Sequence, residues 1–178
     1  HPPSNRTLVR MPRRPRRPFS IRGHEMSTEQ VTAEPKLSPV EGQKRESRYL
    51  RGTLAEEIFE DEPSIQTLIV AVGGGGLYAG IAAAAGDRAH VVAVEPFSCP
   101  TLHAALDAGR PVDVAVSGVA ADSLGARRIG EIAYGIASRV APTSVLVDDD
   151  AIISARLQLW RSYRIPAEHG AATAFAAL

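Results

Sequence analysis

The residues of this chain best placed to do chemistry are four consecutive glycines, Gly73 to Gly76. They stand between the apolar run Thr67-Leu68-Ile69-Val70-Ala71-Val72 and the Ala-rich stretch Leu77 to Ala85. Glycines between a strand and a helix leave backbone N–H groups uncovered by any Cβ. Such groups can curl around an anion at the positive end of the helix dipole. Phosphate is the usual anion, and a ligand-free turn needs one or two glycines rather than four. Read as Gly74-x-Gly76-x-x-Ala79, the loop comes close to a dinucleotide fingerprint. Glu95 then lies about 20 residues on, where an acid would hold a ribose hydroxyl. Any strand–helix–strand unit delivers that spacing, so it leaves the kind of phosphate open. A Walker loop is excluded, because no Lys-Ser or Lys-Thr follows the glycines. Cys99 is the single cysteine, which rules out an internal disulfide and a zinc site built on thiolates.

The elements that must hold this loop read as strands alternating with helices. Residues 53–59 read as a short helix ended by Pro63, and residues 67–72 as a strand buried on both faces. Residues 77–85 form an Ala-rich helix with Gly86 as its cap. His90 to Glu95 is a second buried strand, closed by Pro96. Residues 100–108 read as a helix with Pro100 in its first turn and Gly109 past its end. Residues 127–138 are expected to be a helix with Ile129, Ile132, Ala133 and Ile136 on its inner face. Ser144 to Val147 is a third strand. Asp148, Asp149 and Asp150 then put acid at the start of a helix running to about Tyr163, with Ile152, Ile153, Leu157 and Trp160 as its apolar side. Trp160 is expected in the core. A last helix spans residues 168–178. This pattern predicts an α/β fold, a three-layer αβα arrangement around a parallel sheet, with ligands at the carboxyl ends of the strands.

The 178 residues carry a formal net charge of +0, which conceals a division. Residues 1–51 hold ten Arg and two Lys against five Glu, +7, and seven of the 13 Pro; residues 52–178 hold eight Arg, no Lys and fifteen Asp and Glu, −7. Arg10 to Pro18 cannot be helical, since each Pro removes a donor and disfavours helix in the residue before it. The head, residues 1–49, is therefore expected to be a disordered Arg/Pro-rich segment. Phe19 stands alone there, so base stacking is not supported and nucleic acid is an unlikely partner. There is no run of about 18 apolar residues to span a membrane. The first residue is His1 rather than Met, as expected of a fragment, a processed product or an odd gene start.

A longer stretch narrows the kind of phosphate. Val72-Gly73-Gly74-Gly75-Gly76-Leu77-Tyr78-Ala79-Gly80 resembles the tetraglycine phosphate loop of the threonine/serine dehydratases, pyridoxal-phosphate enzymes of fold type II. Gly52-Thr53-Leu54-Ala55-Glu56-Glu57 resembles their Gly-Thr-x-x-x-Glu helix, and Val92-Ala93-Val94-Glu95-Pro96 the strand end after the loop. Gly118-Val119-Ala120-Ala121-Asp122-Ser123-Leu124-Gly125 resembles their Ala-Asp-Gly-Leu segment, with Ser123 in place of the glycine. Val147 to Ile152 and Glu168-His169-Gly170-Ala171 are further landmarks, so the resemblance covers residues 50–178 in register.

The resemblance implies a partial cofactor domain over residues 50–178, its pyridoxal 5'-phosphate held through Gly73, Gly74, Gly75 and Gly76, with Glu168 near the ring. It implies an ammonia-lyase acting on threonine or serine, cytoplasmic, and a homo-oligomer when intact. Asp122 falls on the substrate side, although an N-cap Asp is equally natural there. Glu168 likewise suits a helix N-terminus. Glu95 matches an acid that binds a cation in some members, but Cys99-Pro100-Thr101 stand where its aspartate partner would be, so no metal is assigned. His103 and His169 read as structural histidines. No catalytic residue is assigned either. The family needs a lysine that bonds the cofactor aldehyde and then takes the substrate α-proton. The two lysines, Lys36 and Lys44, do not resemble its Ser-x-Lys-x-Arg-Gly site, and its Ser-x-Gly-Asn-His and Ser-Gly-Gly-Asn segments are missing. The alternatives are a Rossmann-like nucleotide-binding domain using Glu95, or a non-enzymatic basic-tailed binding protein.

Overall fold

The computed structural model describes residues 52–178. The basic head, Lys36 and Lys44 lie outside them. The elements in order are helix α1 (residues 52–61), strand β1 (Thr67–Ala71), α2 (Gly76–Ala85), β2 (His90–Pro96), α3 (Thr101–Ala108), α4 (Ala121–Leu124), α5 (Glu131–Val140), β3 (Thr143–Val147), α6 (Asp149–Gln158), a π-helical turn (Leu159–Tyr163) and α7 (His169–Phe175).

The sheet order is β1-β2-β3, parallel throughout, with Ala71 beside Val94 and Pro96 beside Val147. Alternate side chains serve two cores, as the two-residue strand period requires. Leu68, Val70, Val72, Val91 and Ala93 pack with α1, α2, α3 and α5 on one face. Ile69, Val92, Val94, Val145 and Val147 pack with α6 and α7 on the other. The expected three layers are therefore present. Both connections between strands cross the first face, as successive crossovers of one hand must when the strand order advances in one direction. After β3 the chain passes to the second face, and α7 lies back against β1 and β2. The glycine loop follows the carboxyl end of β1, and in open α/β sheets ligands bind at the carboxyl ends of the strands.

Several expectations need correction. The helix read over residues 127–138 begins only at Glu131, because Gly130 is an extended N-cap. Ile129 is still buried, but ahead of the helix, while Ile132 is 48% exposed and the inner face is Ala133 and Ala137. The helix read from Asp148 to Tyr163 leaves α-geometry at Leu159. Trp160 is 51% exposed and is not a core residue; the Arg164 guanidinium lies over its ring, 5.7 Å from the centroid. Ile153 and Leu157 are exposed as well, because the buried positions of α6 are Ile152 and Ala155. Asp122 lies inside the first turn of α4, whose N-cap is Ala120. The side-chain cap is instead Asp148, whose carboxylate accepts from the Ala151 N–H at 2.7 Å.

Candidate functional site

Strand β1 ends in the glycine loop, and the loop opens α2. Three peptide carbonyls of the loop are bound by the protein. The Gly73 carbonyl accepts from the Thr101 hydroxyl at 2.7 Å, the Gly74 carbonyl from the Gly130 N–H at 3.2 Å, and the Gly75 carbonyl from the Ala79 N–H at 2.9 Å. In a trans peptide the C=O and the following N–H point in opposite directions, and no described peptide is cis. Tying the three carbonyls back therefore turns the N–H groups of Gly74, Gly75 and Gly76 the other way. None of these N–H groups has an acceptor among the described residues.

On that side lies a cavity of about 740 Å³. Gly73 to Gly76 line it, with Leu54 and Ile58 of α1, the β1 strand, Tyr78, Ser123, Leu124, Glu168 and Gly170. Thr101, Gly130 and Ala79, the groups that hold the carbonyls, do not line it. Three N–H groups without an acceptor at the N-terminus of a ten-residue helix, at the carboxyl end of a parallel strand, fit a phosphate.

Two of the glycines are also required by the fold. A Cβ on Gly73 would meet the Leu124 backbone at 3.0 Å. Gly75 has φ +83°, and a Cβ there would lie 2.5 Å from both the Ala133 Cβ and the Ile129 Cδ1. A Cβ on Gly74 would meet only the Ala126 Cβ, at an ordinary 3.7 Å.

The remaining residues separate into those at the cavity and those away from it. Glu168 is the N-cap residue of α7, its side chain makes no cap hydrogen bond, and it lines the cavity. Asp122 is exposed and takes a contact from the Ser123 hydroxyl at 3.2 Å, and it is Ser123 rather than Asp122 that lines the cavity. Tyr78, which carries no local sequence signal, is buried, and its hydroxyl has no partner among the described residues. Burial pushes its phenol up to about 12, so it stays protonated beside the cavity. Neither His103 nor His169 lines the cavity. The His103 Nδ1 meets the Ser144 hydroxyl at 3.0 Å, and the His169 carbonyl accepts from Thr173.

Glu95 is fully buried behind the loop, away from the cavity. Its Oε1 accepts from the Leu102 N–H and its Oε2 from the His103 N–H, both at 2.8 Å, and the Thr101 hydroxyl lies 2.9 Å from Oε1. The carboxyl thus closes the N-terminus of α3, where free N–H groups favour it. This geometry leaves it unable to reach a ribose in the cavity. Both carboxyl oxygens already accept from the protein, which does not suit a cation ligand.

Residues 42–178 match the family described as "Pyridoxal-phosphate dependent enzyme". The chain belongs to that family. Over 131 residues it is 36% identical to the biosynthetic L-threonine dehydratase of Escherichia coli (strain K12), covering 72% of this chain and 26% of that protein. Among solved structures it resembles the processed form of threonine deaminase isoform 2 from Solanum lycopersicum, with TM-score 0.67 at 27% identity, covering 71% of this chain and 38% of that one. Maize serine racemase gives TM-score 0.68 at 28% identity, covering 71% and 39%. The chain thus spans between a quarter and two-fifths of the length of these relatives. It has the fold of the type II pyridoxal-phosphate enzymes in part, and it is similar to their threonine/serine dehydratases. No helix among the described residues is long and apolar enough to cross a membrane.

The Glu95 environment carries a consequence for stability. Burial pushes its carboxyl above the ordinary 4.5, outweighing the Leu102 and His103 N–H groups and the Thr101 hydroxyl, which pull it down. The folded state therefore holds this proton more tightly than the unfolded chain. Its contribution is complete below pH 4.5 and is lost as pH rises through the raised folded value. Denaturant unfolding of the full chain at a series of pH values should show that decline, at most about 1.4 kcal/mol per pH unit. Glu95→Gln should flatten it, and an unchanged slope in that variant would remove Glu95 as its source.

Proposed function

We propose that this chain supplies the phosphate-binding part of a pyridoxal-phosphate ammonia-lyase acting on small hydroxy amino acids, threonine or serine. The observation that carries the reading is the set of three unpartnered N–H groups of Gly74, Gly75 and Gly76, turned toward the cavity at the N-terminus of α2. When bound, the cofactor supplies an electron sink for negative charge at the substrate Cα. The chain's own part is to hold and orient. The loop N–H groups and the α2 dipole bind the phosphate. Leu54, Ile58 and Leu124 wall the cavity with apolar surface, and Glu168 brings the acidic group that would lie near the ring. The same reading takes the intact enzyme as a cytoplasmic homo-oligomer.

The nucleotide alternative loses its main support, because Glu95 is engaged by α3 and does not line the cavity. Equilibrium dialysis of the full chain with pyridoxal 5'-phosphate, pyridoxal and NAD separates the readings. Retention of pyridoxal 5'-phosphate, competed by inorganic phosphate and much weaker for pyridoxal, is expected. Retention of NAD without pyridoxal 5'-phosphate would overturn the assignment.

A further inference from the structure

The glycine loop is held from behind by a side chain that belongs to another element. Thr101, the first residue of α3, is fully buried, and its hydroxyl lies 2.7 Å from the Gly73 carbonyl and 2.9 Å from Glu95 Oε1. A hydroxyl has one hydrogen to give. Its shorter contact is to the Gly73 carbonyl, with Glu95 Oε1 as the longer, second acceptor. Glu95 is itself fixed by the Leu102 and His103 N–H groups. The chain of contacts runs from the α3 N-terminus through Glu95 and Thr101 to the first peptide of the loop.

We propose that Thr101 is a positioning residue of the phosphate loop: by pinning the Gly73 carbonyl on the side away from the cavity, it aims the Gly74 N–H into the cavity. The geometric step follows from peptide planarity. Neither neighbouring glycine has a side chain to set the orientation of that peptide, and glycine backbone rotates freely. The Gly74 carbonyl has its own tie to the Gly130 N–H, which fixes the next peptide but leaves this one to Thr101. The consequence for ligand affinity rests on the phosphate-binding reading above; the effect on the loop does not.

The test compares Thr101→Val, which keeps the shape and removes the hydroxyl, with Thr101→Ser, which keeps the hydroxyl. In the ligand-free full chain, amide relaxation at Gly74 should show a loosened loop in Thr101→Val and a wild-type loop in Thr101→Ser. Pyridoxal 5'-phosphate and inorganic phosphate should bind about tenfold more weakly to the first and normally to the second. If the wild-type chain binds neither probe while Thr101→Val still loosens the loop, the phosphate reading fails and the positioning role stands. If Thr101→Val keeps a rigid loop and full affinity, the positioning role is wrong and the phosphate reading survives. Failure of Thr101→Ser to restore the loop would assign the effect to packing and overturn the proposal. Should Thr101→Val not fold, the wild-type chain decides. A slowly exchanging Thr101 hydroxyl proton coupled to the Gly73 carbonyl supports the role, and a freely exchanging one overturns it.

Discussion

Gly75→Ala is expected to destabilise the fold and abolish phosphate binding together. Gly75 sits at φ +83°, where an L side chain costs roughly 1–2 kcal/mol. The new methyl would lie 2.5 Å from the Ala133 Cβ and from the Ile129 Cδ1. Ile129 can turn its far end, but Ala133 is buried on α5 with no rotamer to change. Forcing a methyl into a packed site costs roughly another 1–3 kcal/mol. A total of about 2–5 kcal/mol is a large share of the roughly 5–15 kcal/mol that holds an ordinary domain. Either α5 moves away, taking Gly130 and its bond to the Gly74 carbonyl with it, or the loop abandons its left-handed residue. Both outcomes misdirect the N–H groups. Gly74→Ala is the control, because its methyl would meet only Ala126 at 3.7 Å and its stability should match wild type within about 0.5 kcal/mol. Urea unfolding by circular dichroism measures both. Equal losses in the two variants would show that α5 does not press on the loop.

That contrast shows what the sequence could convey and what it could not. The loop, the strands on either side and the parallel order are legible because they rest on local signals. These are continuous apolar runs of strand length, glycines between strand and helix, and Gly109 at a left-handed helix end. Glu168 is legible through its place at a helix start. The division of labour among the glycines is not, since it depends on Ile129, Ala133 and Leu124 arriving from distant parts of the chain. Thr101 was hidden for the same reason: its partner Gly73 is 28 residues earlier. Glu95 invited a ribose or cation reading from its position at a strand end. The register instead turns it behind the loop, into the N-terminus of α3. Ile132 and Trp160 misled because their spacing fits an apolar helix face. The neighbours that would cover such a face are absent among the described residues, so both stay exposed.

The chain as written is expected to release no ammonia from threonine or serine, even where it binds the cofactor phosphate. The proposed phosphate capture uses the backbone N–H groups of Gly74, Gly75 and Gly76, which need no lysine. Removal of the substrate α-proton needs an amine held at the reacting carbon, and residues 52–178 contain no lysine. Lys36 lies in Glu34-Pro35-Lys36-Leu37 and Lys44 in Gln43-Lys44-Arg45, and neither stands in the sequence context that the resemblance requires. Holding a catalytic group in place can be worth roughly 7–11 kcal/mol of barrier, or about five to eight powers of ten in rate. No other residue lining the cavity can take the part. The Tyr78 phenol stays protonated at neutral pH, and Glu168 is a carboxylate that cannot bond the cofactor aldehyde. Borohydride reduction of the full chain with pyridoxal 5'-phosphate, followed by peptide mass mapping, should find no stoichiometric lysine adduct. A parallel ammonia assay should stay at the background of cofactor alone, with the Escherichia coli L-threonine dehydratase as positive control. One stoichiometric adduct on Lys36 or Lys44 together with ammonia release would refute the expectation. It would mean that one of these two lysines supplies the amine.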